Sequence, residues 1–464
     1  MSKTKKQSQP DPRSRIPAVS DLLEHARIQD LIEKWTRSLV MDAIHECLDL
    51  LRKNVTESDD LNLDAVAARV EEALLDSQKD RLRPVINATG VILHTNLGRA
   101  VLPRAAVDAL ADTFQCCNLQ IDMESGERGK RNYMTERLLC KLTGAEAAMV
   151  VTNNAAATLL ILTALASGRE VIISRGQLIE IGGSFRLPDC IHQSGAKMVE
   201  IGTTNKTHLR DYENAITEET GLILKCNPSN YRIVGFSKVV PTADLVTLKR
   251  ERPDLVVVDD LGCGALVDLS NYGLPKEPTV QDSIAAGADI ACFSGDKLIG
   301  GPQAGIIVGR NDLIAKIKKH PLTRMLRVGK LTDITLEHTL RLFLEPEKLV
   351  ETNPTHAMLS ASVDGLKAKA RRIMKKVSEQ NQKLSIRMME GASTTGGGSL
   401  PATAIPTWLL AVKSDGMSAD KLALRLRQCP KPVIARIANE EVLLDMRTIL
   451  KGEDKDVIEA LSII

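Results

Sequence analysis

The chain has 464 residues, 43% of them apolar, with a formal net charge of +2. That length calls for two or three domains around a sizeable core. The near-zero charge excludes a whole-protein electrostatic sponge for nucleic acid, and an aromatic content of 2% argues against base-stacking platforms.

Residues 1–20 are rich in Lys, Ser, Gln and Pro and read as a flexible tail without an apolar signal segment. Nine cysteines without CxxC or Cys/His ligand spacing predict reduced thiols and no metal site. No apolar run is long enough to span a bilayer, so a cytoplasmic protein is expected. Residues 21–80 carry a helical pattern, with Leu31, Ile32, Trp35, Leu39, Val40 and Ile44 at three-to-four spacing. After the break NVTESDDLN the pattern resumes through Leu63, Val66, Val70, Leu74 and Leu75.

From Arg81 the texture changes to RPVINATGVILHTNLGRAVLP, which is β-branched and punctuated by glycine. The short apolar runs AAMVVT, EVIIS, KMVEIG, GLILKC, DLVVVDD and ADIACFS then alternate with helical stretches. That alternation predicts a mostly parallel sheet covered on both faces. Helices dominate after Gly309, including a long polar one around 357–382. TAIPTWLLAVK and VIARIANEEVLLDMRTI read as strands with a closing helix. The expected division is a large α/β domain over 81–345 and a small one over 346–464.

Open α/β sheets bind ligands beyond the carboxyl ends of their strands, and three motifs fall there. In VVTNNAAATLL a strand ends and Asn153-Asn154-Ala155-Ala156 opens a helix, an arrangement that suits an anion and equally an ordinary N-cap. In VVVDDLGCGAL two carboxylates close an apolar strand. One could face a cationic ring nitrogen, or cap the next turn. In FSGDKLIGGPQAG the single amine of Lys297 lies among apolar and small residues, where a Schiff-base nucleophile is favoured. Ser294 could hold a phosphate there and Asp296 could move protons. The order of phosphate turn, strand-ending acid and later lysine is that of pyridoxal 5′-phosphate enzymes with the aspartate-aminotransferase-like fold (fold type I).

The stretches RPVINATGVILHTNLGRA, GERGKR, NNAAAT, ISRGQLIEIGGSFRLPD, GTTNKT, DDLGCGAL, SGDKLIGGPQAGIIVGR, LTRMLRVGKLT, GGGSLP and LLDMRT resemble the bacterial selenocysteine synthase family over nearly the whole length. The resemblance implies conversion of L-seryl-tRNA(Sec) to L-selenocysteinyl-tRNA(Sec), by elimination of water and addition of selenium from selenophosphate. It implies Lys297 as cofactor anchor and proton carrier, with Asp296 in support. It implies Asp260 at the pyridinium nitrogen and Asn154, Ala155 and Ser294 on the phosphate. Arg99, Arg324 and Arg327 match positions that bind the selenium donor. Residues 21–80 resemble the tRNA-contacting domain, and the assembly implied is a homo-oligomer, a pentamer of dimers with shared active sites. The alternative is a lyase of the same family acting on a small amino acid or amino sugar without tRNA. Arg436, Arg447 and the 396–401 loop carry no assignment.

Overall fold

The computed structural model describes residues 11–56, 59–79 and 81–464. The chain divides into two compact units at Pro84/Val85. No helix among the described residues is long and apolar enough to cross a membrane.

The first unit is helical. Residues 1–10 of the expected tail lie outside the described residues, while Pro12–Arg15 forms a 3-10 turn whose first free amide, on Arg13, is met by the Asp11 side chain at 3.0 Å. Helices follow at Val19–Glu24, Ala26–Lys34, Arg37–Asn54 and Leu63–Ser77. The last is started by Asn62, whose side chain accepts from the amide of Ala65 at 2.8 Å. Leu22, Ile28, Val40, Ile44, Val66, Val70 and Leu74 form its fully enclosed core. Leu75 falls off that stripe and is exposed, because one residue turns the helix by about 100°. Several of its basic residues are matched by acids, as in Arg27–Glu71 at 2.6 Å and Arg52–Asp49 at 2.8 Å.

The second unit is built on a seven-stranded sheet: β1 (Ala147–Val151), β2 (Glu170–Ser174), β3 (Lys197–Ile201), β4 (Thr220–Cys226), β5 (Val256–Gly262), β6 (Ile290–Ser294) and β7 (Gly305–Gly309). Their spatial order is β1-β7-β6-β5-β4-β2-β3. The first six are the runs expected from the sequence. The seventh, GIIVG, is a strand the apolar-run reading passed over. It lies antiparallel between β1 and β6, with Gly305 opposite both Val151 and Ser294. The five strands from β2 to β6 run parallel, so their carboxyl ends are level with one another. Helices cover both faces, and the Asn154–Ala166 helix is apolar nearly all round because it lies inside the core.

The C-terminal part carries a second, antiparallel sheet of β8 (Leu384–Ser393), β9 (Ile405–Ser414), β10 (Arg436–Ala438) and β11 (Glu441–Asp445), in the order β8-β9-β11-β10. The expected polar helix around 357–382 is two helices, Pro354–Ser360 and Val363–Gln380. They are separated where Ser362 caps the second by accepting from the amide of Gly365. A parallel pairing of Ile86–Asn87 with Val433–Ile434, a two-stranded sheet of its own, ties the start of this unit to its C-terminal part.

Close packing fixes the turn after β5. Gly264 has φ +64°, and a Cβ on it would stand 2.4 Å from Cδ2 of the buried Phe293. We expect Gly264→Ala to destabilise the protein by about 2–4 kcal/mol, from overpacking and backbone strain together. Gly416, also at positive φ but with open space around it, isolates the strain component. Gly416→Ala should cost about 1 kcal/mol. Urea unfolding midpoints of the two variants check the difference.

Candidate active site

The level carboxyl ends of β1, β4, β5 and β6 face one cleft of about 500 Å³. After β1, Asn153 starts the Asn154–Ala166 helix by accepting from the Ala156 amide at 2.9 Å. A Cβ on Gly305 would stand 2.1 Å from the Asn153 carbonyl oxygen, so only glycine lets β7 pass this turn. Asn154, Ala155 and Thr158 then line the cleft.

Strand alternation separates the two carboxylates of β5. Asp260 lines the cleft and accepts from Asn154 Nδ2 at 2.8 Å, Thr158 Oγ1 at 2.9 Å and the Gly262 amide at 3.0 Å. Asp259 faces the other side, where Lys225 Nζ lies 3.0 Å away and Thr242 and Ser283 donate hydroxyl bonds. Burial pushes the Asp260 carboxyl above the usual carboxylate range, against the opposing pull of those neutral donors and of Lys297.

Beyond β6 the chain makes a tight loop. The Gly295 amide bonds the Ala304 carbonyl at 2.8 Å and the Gly301 amide bonds the Gly295 carbonyl at 2.9 Å. Ser294, Asp296 and Lys297 are all buried in this loop and line the cleft. The Lys297 ammonium makes no hydrogen bond or ion pair with the described residues. Asp296 is held by Arg99, 2.6 Å from Nη1, and Arg99 sits in the left-handed region at φ +62° to reach it.

The segment after Lys297 is clamped from the Pro354–Ser360 helix. His356 Nε2 bonds the Leu298 carbonyl at 2.9 Å, which fixes Nε2 as the donor, and Nδ1 lies 3.1 Å from the Tyr272 hydroxyl. Asn353 Nδ2 donates to the Ile299 carbonyl at 2.9 Å. Burial pushes His356 down to about 4.

Lys297, Asp296, Asp260, Ser294, Asn154, Ala155 and Arg99 are therefore brought together. Arg324 and Arg327 are not. Both are exposed and lie outside this cleft, where Arg327 is held below its ordinary value by partial desolvation and by Arg131, Arg324 and Arg128. Arg447 is buried as a framework group, donating to the carbonyls of Met358, Ala361 and Pro406, and Arg436 pairs with Asp445 at 3.3 Å. Gly397 and Gly398 of the 396–401 loop do line the cleft, and a Cβ on Gly398 would stand 3.6 Å from Lys297 Nζ. Thr158, which the sequence reading did not single out, follows Asn154 by one helical turn, and that spacing is the signal that could have found it. Cys226, Asn227 and Gln303 line the cleft without any local sequence signal.

These residues fit pyridoxal phosphate. The cleft offers an unpartnered amine and a buried carboxylate served by neutral donors. It also holds a helix N-terminus beside small residues. Asn154 Oδ1, buried without a partner among the described residues, is an acceptor suited to a ligand that carries a donor.

Residues 85–450 match the family model described as L-seryl-tRNA selenium transferase, and residues 13–52 match that described as selenocysteine synthase N terminal. The L-seryl-tRNA(Sec) selenium transferase of Geobacter sulfurreducens is 47% identical over 97% of this chain and 98% of that protein. The enzyme of the same name from Moorella thermoacetica is 47% identical over 96% of each. Among solved structures, D-glucosaminate-6-phosphate ammonia-lyase superposes with a TM-score of 0.56 at 21% identity, covering 82% of this chain and 95% of that one. That is a likeness of fold.

The buried histidine sets an acid limit on the loop. Its proton affinity is lower folded than unfolded, so stability is full above pH 6.5 and falls as pH drops toward 4. Across that window the loss is about 3 kcal/mol. Urea unfolding of the wild type and of His356→Gln should show the wild type's advantage shrinking by that amount between pH 7 and pH 4, with no such trend above pH 7.

Proposed function

The chain belongs to the L-seryl-tRNA selenium transferase family, and we propose on that premise that it converts L-seryl-tRNA(Sec) to L-selenocysteinyl-tRNA(Sec) with selenium from selenophosphate. The observation that carries this reading is the unpaired Lys297 amine in one cleft with the buried Asp260 carboxylate.

Bound in this cleft, pyridoxal phosphate supplies an electron sink for the pair left when the seryl α-proton departs. The chain's own residues supply the rest. Lys297 would anchor the cofactor through its Nζ and, when free, would take the seryl α-proton. Asp260 would hold the cofactor's ring nitrogen, whose positive charge would offset the cost of burying the carboxylate. Asn154 and Ala155, through their backbone amides at the helix N-terminus, and Ser294, through its hydroxyl, would hold the phosphate. The proton taken from the α-carbon would leave with the β-hydroxyl as water; selenium would then bond to the β-carbon while water cleaves its bond to phosphorus, releasing phosphate, and a proton would return to the α-carbon.

Arg99 is the donor-binding cation within the cleft, and Asp296 keeps it neutralised until an anion arrives. Arg324 and Arg327, grouped with Arg128 and Arg131, would complete that site across a subunit boundary. This accords with a homo-oligomer, for which we propose the pentamer of dimers. A charged tRNA as substrate implies a cytoplasmic protein. Residues 21–80 serve as the tRNA-contacting domain, which disfavours a lyase acting on free amino acids or amino sugars. We retain 81–345 and 346–464 as the large and small parts of the catalytic unit.

Incubation with seryl-tRNA(Sec), with and without selenophosphate, should give esterified selenocysteine only in its presence. Lys297→Ala should lose both the yellow colour of the bound cofactor and all turnover. Removal of residues 1–84 should abolish turnover of charged tRNA and keep the colour. Turnover of free serine at the rate of the charged tRNA would overturn the reading.

A further inference from the structure

The turn Asp445-Met446-Arg447-Thr448 begins at the last residue of β11 and does not line the cleft. No step of the reaction described above uses it, yet all four of its residues are buried. An arginine at that depth needs a reason, because a buried charge is costly wherever an apolar side chain could fill the same space.

The Arg447 guanidinium is spent on backbone carbonyls. Nη1 donates to Met358 at 2.7 Å and to Ala361 at 3.1 Å, and Nη2 donates to Pro406 at 2.6 Å. Met358 lies in the Pro354–Ser360 helix and Ala361 just after it, while Pro406 lies in β9 of the C-terminal sheet. The planar fork therefore spans the gap between that helix and that sheet, and its rigid geometry sets their separation. The same helix and the residue before it hold the loop after Lys297, through His356 to the Leu298 carbonyl and Asn353 to the Ile299 carbonyl, both at 2.9 Å. The Gly300 amide closes the loop onto the Lys297 carbonyl, also at 2.9 Å.

The arginine is itself fixed from beneath. Its amide donates to Asp445 Oδ1 at 3.0 Å, and the same carboxylate accepts from Thr407 Oγ1 at 2.8 Å and from Ser393 Oγ at 2.9 Å. Gly90, at φ +80°, passes so close that a Cβ there would stand 2.1 Å from Asp445 Oδ2, so the carboxylate has no room to shift.

We infer that Arg447 is a positioning residue for Lys297. It touches neither the amine nor the cleft. The fork fixes the helix, the helix fixes the Leu298 and Ile299 carbonyls, and these fix the backbone from which Nζ extends. The inference rests on the anchoring role proposed for Lys297 above. A displacement of about 1 Å at a reacting atom can cost roughly a hundredfold in rate, so a distant brace has a kinetic effect. Lysine at 447 would keep the charge but could not hold three carbonyls in one plane.

The test is a double-mutant cycle of Arg447→Lys and His356→Gln in the full-length protein, with two readouts. The first is the rate at which cofactor-free protein turns yellow when pyridoxal phosphate is added, which reports bonding to Lys297 and needs no tRNA. The second is steady-state turnover of seryl-tRNA(Sec) by the loaded protein. Each single variant should lower the colouring rate and kcat roughly tenfold, with KM for the charged tRNA within about twofold of the wild type. The double variant should lose little beyond the larger single loss, because both residues act along one line of contacts. Urea midpoints show which variants fold. If Arg447→Lys does not, Thr407→Val replaces it in the cycle. That variant removes one donor from Asp445, leaves the fork in place, and should lower both rates about threefold at unchanged KM. Losses that multiply in the double variant overturn the inference. So does a folded Arg447→Lys that raises KM alone, or one that loses stability with both rates unchanged. If the wild type takes up the cofactor but converts no seryl-tRNA(Sec), the proposed function fails, and the colouring rates still decide the role of Arg447.

Discussion

The period-two alternation of one strand decides the chemistry of this protein. Along β5 the adjacent carboxylates of Asp259 and Asp260 must leave on opposite faces. The first meets a lysine ammonium, Lys225, together with two hydroxyl donors. It is a matched buried charge that fastens β4, β5 and the helices behind them. The second meets only neutral donors from Asn154, Thr158 and the Gly262 amide. A carboxylate so placed is desolvated and hydrogen-bonded but lacks a directly bonded cation, and it ionises most favourably when a positive ligand comes to lie beside it. The parallel register then fixes what else can reach that ligand. Asp260 is level with Cys292 on β6, so the strand's last residue, Ser294, and the loop that carries Lys297 project beyond it into the same space.

The role proposed for Lys297 needs a mobile side chain on an immobile backbone. The loop has little freedom, because Leu298 and Ile299 are both bonded through their carbonyls to His356 and Asn353. Gly300 turns at φ +70°, with no room for a Cβ against Asn353. The clamp comes from the Pro354–Ser360 helix, so the packing of that helix and the placing of the amine are one problem. The neutral state of His356 belongs to the same design. With Nε2 donating to the Leu298 carbonyl, the neutral ring leaves Nδ1 to accept from the Tyr272 hydroxyl, and it is burial that opposes the charged form.

Much of this was legible in the residues. Six strands announced themselves as apolar runs, and the order of Asn154, Asp260 and Lys297 indicated a cofactor site because each lies at or just beyond the carboxyl end of a strand. What escaped has a physical reason in each case. The seventh strand, GIIVG, is five residues bounded by glycines and shares its composition with a buried turn. Strand β8 is covered on one face only and carries Arg387 and Glu390 within it, so no apolar run marks it. The choice of Asp260 over Asp259 came from the family resemblance and not from the strand's own residues, because it depends on a register that β4 and β6 set from outside the strand. The arginines were the hardest. Arg99, Arg324 and Arg327 have the same charge in the sequence, and only tertiary placement distinguishes the one paired with Asp296 from the two that stand among other arginines.

That distribution follows from electrostatics. The cleft of a single chain holds two formal cations, Lys297 and Arg99, and two carboxylates, Asp260 and Asp296. It is balanced before any ligand enters. A phosphate-bearing cofactor makes it negative, the helix N-terminus offsetting only part of the added charge. A site of that sign would repel the backbone of a nucleic acid and an anionic donor at the distance where both must approach. The surplus cations therefore belong outside the cleft rather than in it. The structure keeps them there in two groups, Arg128, Arg131, Arg324 and Arg327 in one and Lys206, Arg232 and Lys238 in the other. Within each group the like charges lie near one another without matching carboxylates among the described residues. Such crowding costs stability in the free chain, and it is relieved when an anion binds. On the function proposed above, the balanced cleft would hold the cofactor, and the unbalanced surroundings would draw anionic substrates to it.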